Sequence, residues 1–399
     1  MSKYIKNFTS EASLASALES GLQRPNISLV TDTGKSYCFP ANAWGIVIPV
    51  DGSTSATFLG SEAAWQAYRA KLGRYLLKWN GEAWKLSSSN STQLANGTTF
   101  GVDDGNVMVR LPRLSYSVVR DSSGRDVIIM SEEPCLRNVI EEQWVGAYLA
   151  SHDGTRLRSK RGMAVAASRT IDTFWTQAQA CGSAWGLSNY EQRILMMLIY
   201  LSQYRSLNSQ ASLGYGMNGN TNNWSEAQGK LTGESYSLGD ACGAVSGGTS
   251  NANAKHVSLF GIEDPYGWYW EMLQGIYFIN NVGYVYSGNR MPDATELASH
   301  PKGSYRTFTR NSASGQYITR LVGGEYYDIL PSATGGGSES YWCDYTWTAS
   351  SGQLLLWGGT AYYGSDCGLA YSYSSSAWSS SYSSYFGARL AFYGKVNIY

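Results

Sequence analysis

AYSYSSSAWSSSYSSYFGARLAF, residues 370–392, joins two compositions that rarely occur together. A disordered tail would avoid its Tyr and Trp, which give a chain apolar surface to bury. A core element would avoid its Ser, whose hydroxyl costs free energy when buried without a partner. The stretch closes with FGARLAF (386–392), an apolar run next to Gly that reads as a strand. A strand needs a pairing partner, so the chain must return to a sheet after the tract. The tract is therefore held between ordered elements, which argues against a low-complexity tail or an amyloid-prone end.

In residues 360–386, TAYYGSDCGLAYSYSSSAWSSSYSSYF, six residues are Tyr and ten are Ser, and Asp366 carries the single charge. This is the composition of an antibody paratope. Tyr supplies a large rigid contact at low entropy cost, and Ser supplies adaptable hydrogen bonding. Such surfaces recognise a partner by burying aromatic anchors, and an exposed aromatic face is a liability unless it binds something.

The whole chain has 399 residues, of which 43% are hydrophobic and 14% aromatic, too apolar for disorder. Its 30 basic and 30 acidic residues balance, which argues against a nucleic-acid or anionic-membrane partner. No segment approaches the ~20 apolar residues of a membrane span. The opening MSKYIKNFTSEASL has no apolar stretch of signal-peptide length, so synthesis and folding in a cytoplasm are expected. The six Cys (38, 135, 181, 242, 343, 367) show no C-x-x-C spacing and read as buried free thiols. His152, His256 and His300 form no metal-binding pattern, and no metal or cofactor is implied.

Local signals place the elements. TSEASLASALESGL (9–22) and SEAAWQAYRAKL (61–72) read as helices. ISLVTDTGKSYCF (27–39) and RYLLKWNGEAWKL (74–86) read as hairpins, the second around Asn80-Gly81. SSSNSTQLANGTT (87–99) reads as a linker, which places a domain boundary near residue 100. NVMVRLPRLSYSVVRD (106–121) reads as paired strands, and IEEQWVGAYLA (140–150) as another strand. Two helices follow, about 168–181 and from Ser188, where Ser188 and Glu191 suggest a capping box. YEQRILMMLIYLSQYRSL is apolar around most of its circumference, so that helix should be deeply buried. After about residue 210, Gly, Ser, Tyr and Trp dominate, with strands at QLLLWGG (353–359) and ARLAFYG (388–394). The expected class is α+β: two helices, short twisted strands and long loops, after a small N-terminal α/β module.

GIEDPYGWYWEML (261–273) resembles the G-h-x-D-h-x-G-N-V-W-E-W segment of C-type-lectin-like folds of the formylglycine-generating-enzyme type. FGARLAF resembles their closing G-x-R-h-A-h strand. With the Tyr/Ser tract between them, the chain resembles the variable proteins of diversity-generating retroelements, including phage tail receptor-binding proteins. Trp268-Tyr269 departs from the family's Asn-Val or Asn-Ile. The resemblance, over about residues 105–399, implies a C-type-lectin-like binding domain at 101–399 with a variable surface at about 343–386, and an attachment or oligomerisation module at 1–100. It also implies host-cell attachment from a virion, a homotrimer, and a bacterial surface protein or glycan as target.

Retroelement mutagenesis replaces adenines, and an Asn codon mutated in its first two bases reaches Tyr, Ser, Asp and Phe without a stop. The resemblance thereby marks Tyr362, Tyr363, Asp366, Tyr373, Ser375, Ser376, Ser380, Tyr382 and Ser384 as ligand-binding positions, with Tyr385 and Phe386 beside them. Tyr345, Thr346 and Ser350 in CDYTWTASSG join the same expected surface. Gly364, Cys367, Gly368, Leu369, Ala377 and Trp378 would form its constant frame.

Two other readings stand beside this one. The same fold type includes copper oxidases with a close Cys pair, and here the last two Cys are Cys343 and Cys367. A lectin of fixed specificity would not need the diversified surface. Glu263-Asp264-Pro265 is acidic enough for calcium, but Asp before Pro at a turn is the common structural case. The runs Glu132-Glu133 and Glu141-Glu142, and the cluster Arg156, Arg158, Lys160, Arg161, read as solvated surface.

Overall fold

The computed structural model describes residues 6–8, 27–30, 36–101, 104–286, 305–310, 314–321, 326 and 328–399, with side chains from residue 40 onward except at 314. The architecture is mixed and mainly strands, with five α-helices among the described residues. None of these helices is long and apolar enough to cross a membrane.

Local chemistry builds the elements before the boundary expected at residue 100. Ser61 caps the helix Glu62–Arg69 by accepting the Ala64 N–H at 3.1 Å. The strands Gly73–Leu77 and Glu82–Ser87 form the expected hairpin, turned where Gly81 takes a φ of 87°. Ile27–Val30 pairs with Ser36–Phe39 as expected, while the helix expected at 9–22 lies outside the described residues.

Residue 100 is not a break between sheets. The segment read as a linker contains the strand Asn90–Leu94, which folds back on Glu82–Ser87. Gly73–Leu77 in turn pairs with Asn106–Leu111. One eight-stranded sheet thus runs Trp185–Leu187, Arg389–Phe392, Gln143–Leu149, Asn106–Leu111, Gly73–Leu77, Glu82–Ser87 and Asn397–Ile398, with Asn90–Leu94 at its side. Ser- and Asn-rich composition does not prevent pairing when a buried neighbour supplies the other half of the ladder.

Asn106–Leu111 and Leu114–Arg120 are both strands, but they do not pair with each other. At Pro112-Arg113 the chain leaves the eight-stranded sheet and enters a five-stranded one, where Leu114–Arg120 lies between Asn138–Ile140 and Asp126–Ser131.

The helices Ile171–Gln179 and Tyr190–Tyr204 are the two expected. In the second, twelve of fifteen residues are buried, which its apolar circumference requires. Its cap differs from expectation by one residue: Asn189 accepts the Gln192 N–H at 2.9 Å, and Gln192 answers the Asn189 N–H at 3.2 Å. Ser188 cannot serve because its hydroxyl donates to Glu271 Oε1 at 2.8 Å.

The basic cluster is not uniformly solvated either. Arg158 and Lys160 are buried, and Arg158 holds Asp153 at 2.8 Å and the Gly105 carbonyl at 3.3 Å.

A seven-stranded sheet carries the Tyr/Ser tract. Its order is Ala333–Thr334, Ser314–Arg320, Tyr345–Thr348, Ser372–Ser376, Leu354–Trp357, Trp270–Met272 and Phe386–Gly387. After Gly387 the chain continues directly into Arg389–Phe392 of the eight-stranded sheet. The closing run FGARLAF therefore joins both sheets, and its strand Arg389–Phe392 pairs on both sides.

Candidate functional site

The strand Ser372–Ser376 explains why Ser and Tyr alternate. It lies between Tyr345–Thr348, parallel with Trp347 opposite Tyr373, and Leu354–Trp357, antiparallel with Leu356 opposite Tyr373. Side chains alternate across a strand. Ser372 and Ser374 point inward and are buried. There the Ser372 hydroxyl lies 3.1 Å from Thr346 Oγ1, and the Ser374 hydroxyl accepts from Arg310. Tyr373 and Ser375 point outward, and Ser375 donates to the Tyr373 hydroxyl at 2.6 Å. Small polar residues suit the inner face because each meets a partner, so burial costs little.

Arg310 fixes this strand from below. Its guanidinium donates to the carbonyls of Ser374, Ala349 and Gly352, and it stacks 4.1 Å from the Phe278 ring centroid. The edge of the strand and the loop 349–352 are thereby tied to one buried cation.

Five of the expected residues converge on one pocket. Tyr362, Tyr363, Tyr373, Tyr385 and Phe386, with Trp270 and Ser383, line a cavity of about 310 Å³. Tyr362 and Tyr363 come from the turn before the short 3₁₀ segment Gly364–Asp366, Tyr373 from the central strand, and Tyr385 and Phe386 from the approach to the closing strand. Trp270 is almost fully buried and touches Tyr363, Tyr371 and Tyr373 at centroid distances of 5.8, 4.6 and 5.6 Å. Tyr362 remains 49% exposed and Tyr363 38%, so the outer wall faces solvent.

Asp366 and Tyr345 form a neighbouring patch. The Tyr317 hydroxyl donates to Asp366 Oδ1 at 2.8 Å, and Tyr317 packs edge-on to Tyr345 at 5.1 Å. Burial raises the Asp366 pKa, and the Tyr317 hydrogen bond works against that shift. Ser376 ends the central strand outside the pocket lining. Ser380, Tyr382 and Ser384 lie exposed on the loop that follows, with Tyr382 67% exposed.

Two expectations are corrected. Thr346 is fully buried and hydrogen-bonds Ser372, because it falls one position out of phase with Tyr345. In phase stands Trp347, exposed and unnamed by the composition argument. Ala377, expected in the frame, is exposed. Residues missed in the sequence are Trp270, Ser383, Tyr317 and Trp347. The i, i+2 step from Tyr345 could have found Trp347. Trp270 lay inside GIEDPYGWYWEML, a segment read for its likeness rather than for the face of each residue.

The frame beneath the pocket is charged and buried. Glu271, next to Trp270, is buried between Arg193 and Arg389, with Arg389 Nε at 3.1 Å. Burial opposes its charge, but the two guanidinium groups outweigh that and lower its pKa. Arg389 also donates to the carbonyls of Gly146, Ala147, Glu263 and Asp264. The WE of residues 270–271 and the Arg of GAR, 118 residues apart, thus meet in one ion cluster.

Gly368 is required because a Cβ there would collide with Asp344. The Asp344 carboxylate accepts the Ala370 N–H at 2.7 Å, and burial raises its pKa far above the ordinary range.

Cys343 and Cys367 are both buried free thiols. Each sulfur contacts nearby carbonyls, Cys343 that of Ser340 and Cys367 that of Thr360. Burial pushes the Cys343 thiol up to about 12 and raises the Cys367 thiol well above its ordinary value.

His256, Glu263 and Asp264 stand close together and buried, the one grouping among the described residues with metal-ligand spacing. Both carboxylates already accept hydrogen bonds within the fold. Glu263 accepts the N–H groups of Gly233 and Ser235 at 2.6 and 2.7 Å, and Asp264 takes His256 Nδ1 at 2.6 Å and the Val257 N–H at 3.0 Å. The acidic turn serves to hold backbone, which is the structural role expected of an Asp before Pro.

No protein-family model matches this chain, and no curated protein matches it either.

Proposed function

We propose that this chain is a ligand-binding protein whose Tyr/Ser face, displayed on a C-type-lectin-like fold, attaches a virion to a bacterial surface protein or glycan. The observation that carries the reading is the pocket. Five residues marked by composition and codon logic, drawn from three separate segments, line one solvent-facing aromatic cavity. A folding role alone does not account for Tyr362 and Tyr363 standing exposed above a buried Trp270.

The division of labour supports a varied face on a constant frame. Several of the outward positions (362, 363, 380, 382 and 384) lie on turns and loops, where side chains can change at less cost than in the core. Inward positions 372 and 374 and the Glu271–Arg389 cluster cannot change in this way. The N-terminal module expected over residues 1–100 would then serve attachment to the virion, and display in several copies would add avidity.

Sequencing the 3′ end of the gene across a source population tests the varied face. Substitutions should gather at 362, 363, 366, 373, 375, 376, 382 and 384 and spare 368, 378 and 387–392. Even variation across both groups would overturn the diversified reading. Binding is tested by capture of whole cells from a bacterial panel. Tyr362→Ala and Tyr385→Ala should each lower capture about 10-fold or more, the range of an aromatic anchor.

A further inference from the structure

The pocket is walled by aromatic rings set at angles to one another rather than by a flat platform. Neighbouring rings meet steeply: 63° for Trp270 and Tyr363, 76° for Tyr362 and Tyr363, and 62° for Tyr362 and Tyr385. Tyr373 stands 46° to Trp270 on the inner side. A sugar ring stacks best along one open face, with polar side chains around it for its hydroxyls. Here Ser383 is the one lining residue without an aromatic ring.

Each ring face carries the negative lobe of the π quadrupole. Several faces inclined around one volume therefore favour a positive charge. No lining residue is Lys, Arg or His, so the wall supplies no cation of its own. The one charge of the tract, Asp366, lies beside the neighbouring Tyr317–Tyr345 pair and has the complementary sign. A bare ammonium is strongly hydrated and needs hydrogen-bond acceptors. A methylated ammonium needs mainly dispersion and the quadrupole. The volume of about 310 Å³ is at the small end for ligand pockets, which suits a compact headgroup.

Resting on the reading of this face as the ligand-binding surface, we propose that the pocket takes a methylated ammonium group. A choline headgroup and a methylated lysine share this chemistry.

Calorimetric titration of the full chain with choline and with 3,3-dimethylbutan-1-ol, its uncharged isostere, tests the charge requirement. Choline should bind about 10-fold or more tightly than the isostere. Tyr362→Ala and Tyr363→Ala should each weaken choline binding about 5-fold or more, with the melting temperature unchanged because both side chains are exposed. Equal binding of the two isosteres, or binding of neither, overturns the inference.

Phosphatidylcholine vesicles and a trimethyl-lysine peptide then separate the two sources: preference for either supports the inference and names the source. The whole-cell assay separates the two levels of failure. If the pocket variants lose capture while choline neither binds nor competes, the surface reading stands and the ammonium inference falls. If the pocket variants capture cells normally, both fall.

Discussion

Residues 371–376 and 379–385 have nearly the same composition, YSYSSS and SSSYSSY, and opposite fates. The first is a central strand with Tyr371, Ser372 and Ser374 buried and Tyr373 and Ser375 turned outward. The second is a loop in which Ser379, Ser380, Tyr382 and Ser384 are exposed. The first has neighbours on both sides to pair with, and Arg310 beneath it. Composition names the materials of a binding surface, while pairing decides which of them face the ligand.

The contrast can be broken at the frame that both segments share. Glu271→Gln leaves Arg193 and Arg389 buried without their carboxylate. It should cost about 3–5 kcal/mol in chemical denaturation, the loss expected for a broken buried ion pair. A loss below about 1 kcal/mol would mean that the closing strand is held by its ladder alone.

A smaller effect tests the first segment directly. Ser374→Tyr inserts a ring into a buried site and removes the hydroxyl that Arg310 holds, so stability should fall by about 1–3 kcal/mol. The reciprocal change in the second segment, Ser380→Tyr or Ser384→Tyr, should stay within about 0.5 kcal/mol, because both positions are exposed. Equal costs at 374 and 380 would erase the distinction between strand and loop.

A pH titration sharpens the picture of the frame. Burial disfavours charge on His256, but Asp264 at 2.6 Å outweighs it and raises the pKa from 6.5 to about 9. A folded pKa above the unfolded one means the folded state binds the proton more tightly. This contribution is therefore complete below about pH 6.5 and is lost as pH rises through about 9. Stability should decline across that window by at most about 1.4 kcal/mol per pH unit, the slope for one proton. His256→Asn should flatten the slope, and an unchanged slope in that variant would assign it elsewhere.

How far the sequence could be read follows the range of each signal. The Asn80-Gly81 hairpin and the apolar helix Tyr190–Tyr204 are local, and both stand where expected. The helix cap falls one residue beyond Ser188 because Ser188 is engaged by Glu271, a partner 83 residues away. The segment 87–99 looked like a linker because its pairing partner, not its own side chains, makes it a strand. Thr346 was named and Trp347 overlooked because composition carries no phase along a strand, whereas register does.

Residue types and a final apolar run are local properties, so the residues alone show a Tyr/Ser tract with a single charge, Asp366, running into an apolar strand. Only the tertiary structure decided that Trp270 lies under that surface and that Tyr362, Tyr373 and Tyr385 share one pocket. The same holds for the meeting of Glu271 with Arg389. These are contacts across long separations, and they exist because sheet pairing brings distant segments within a few ångströms.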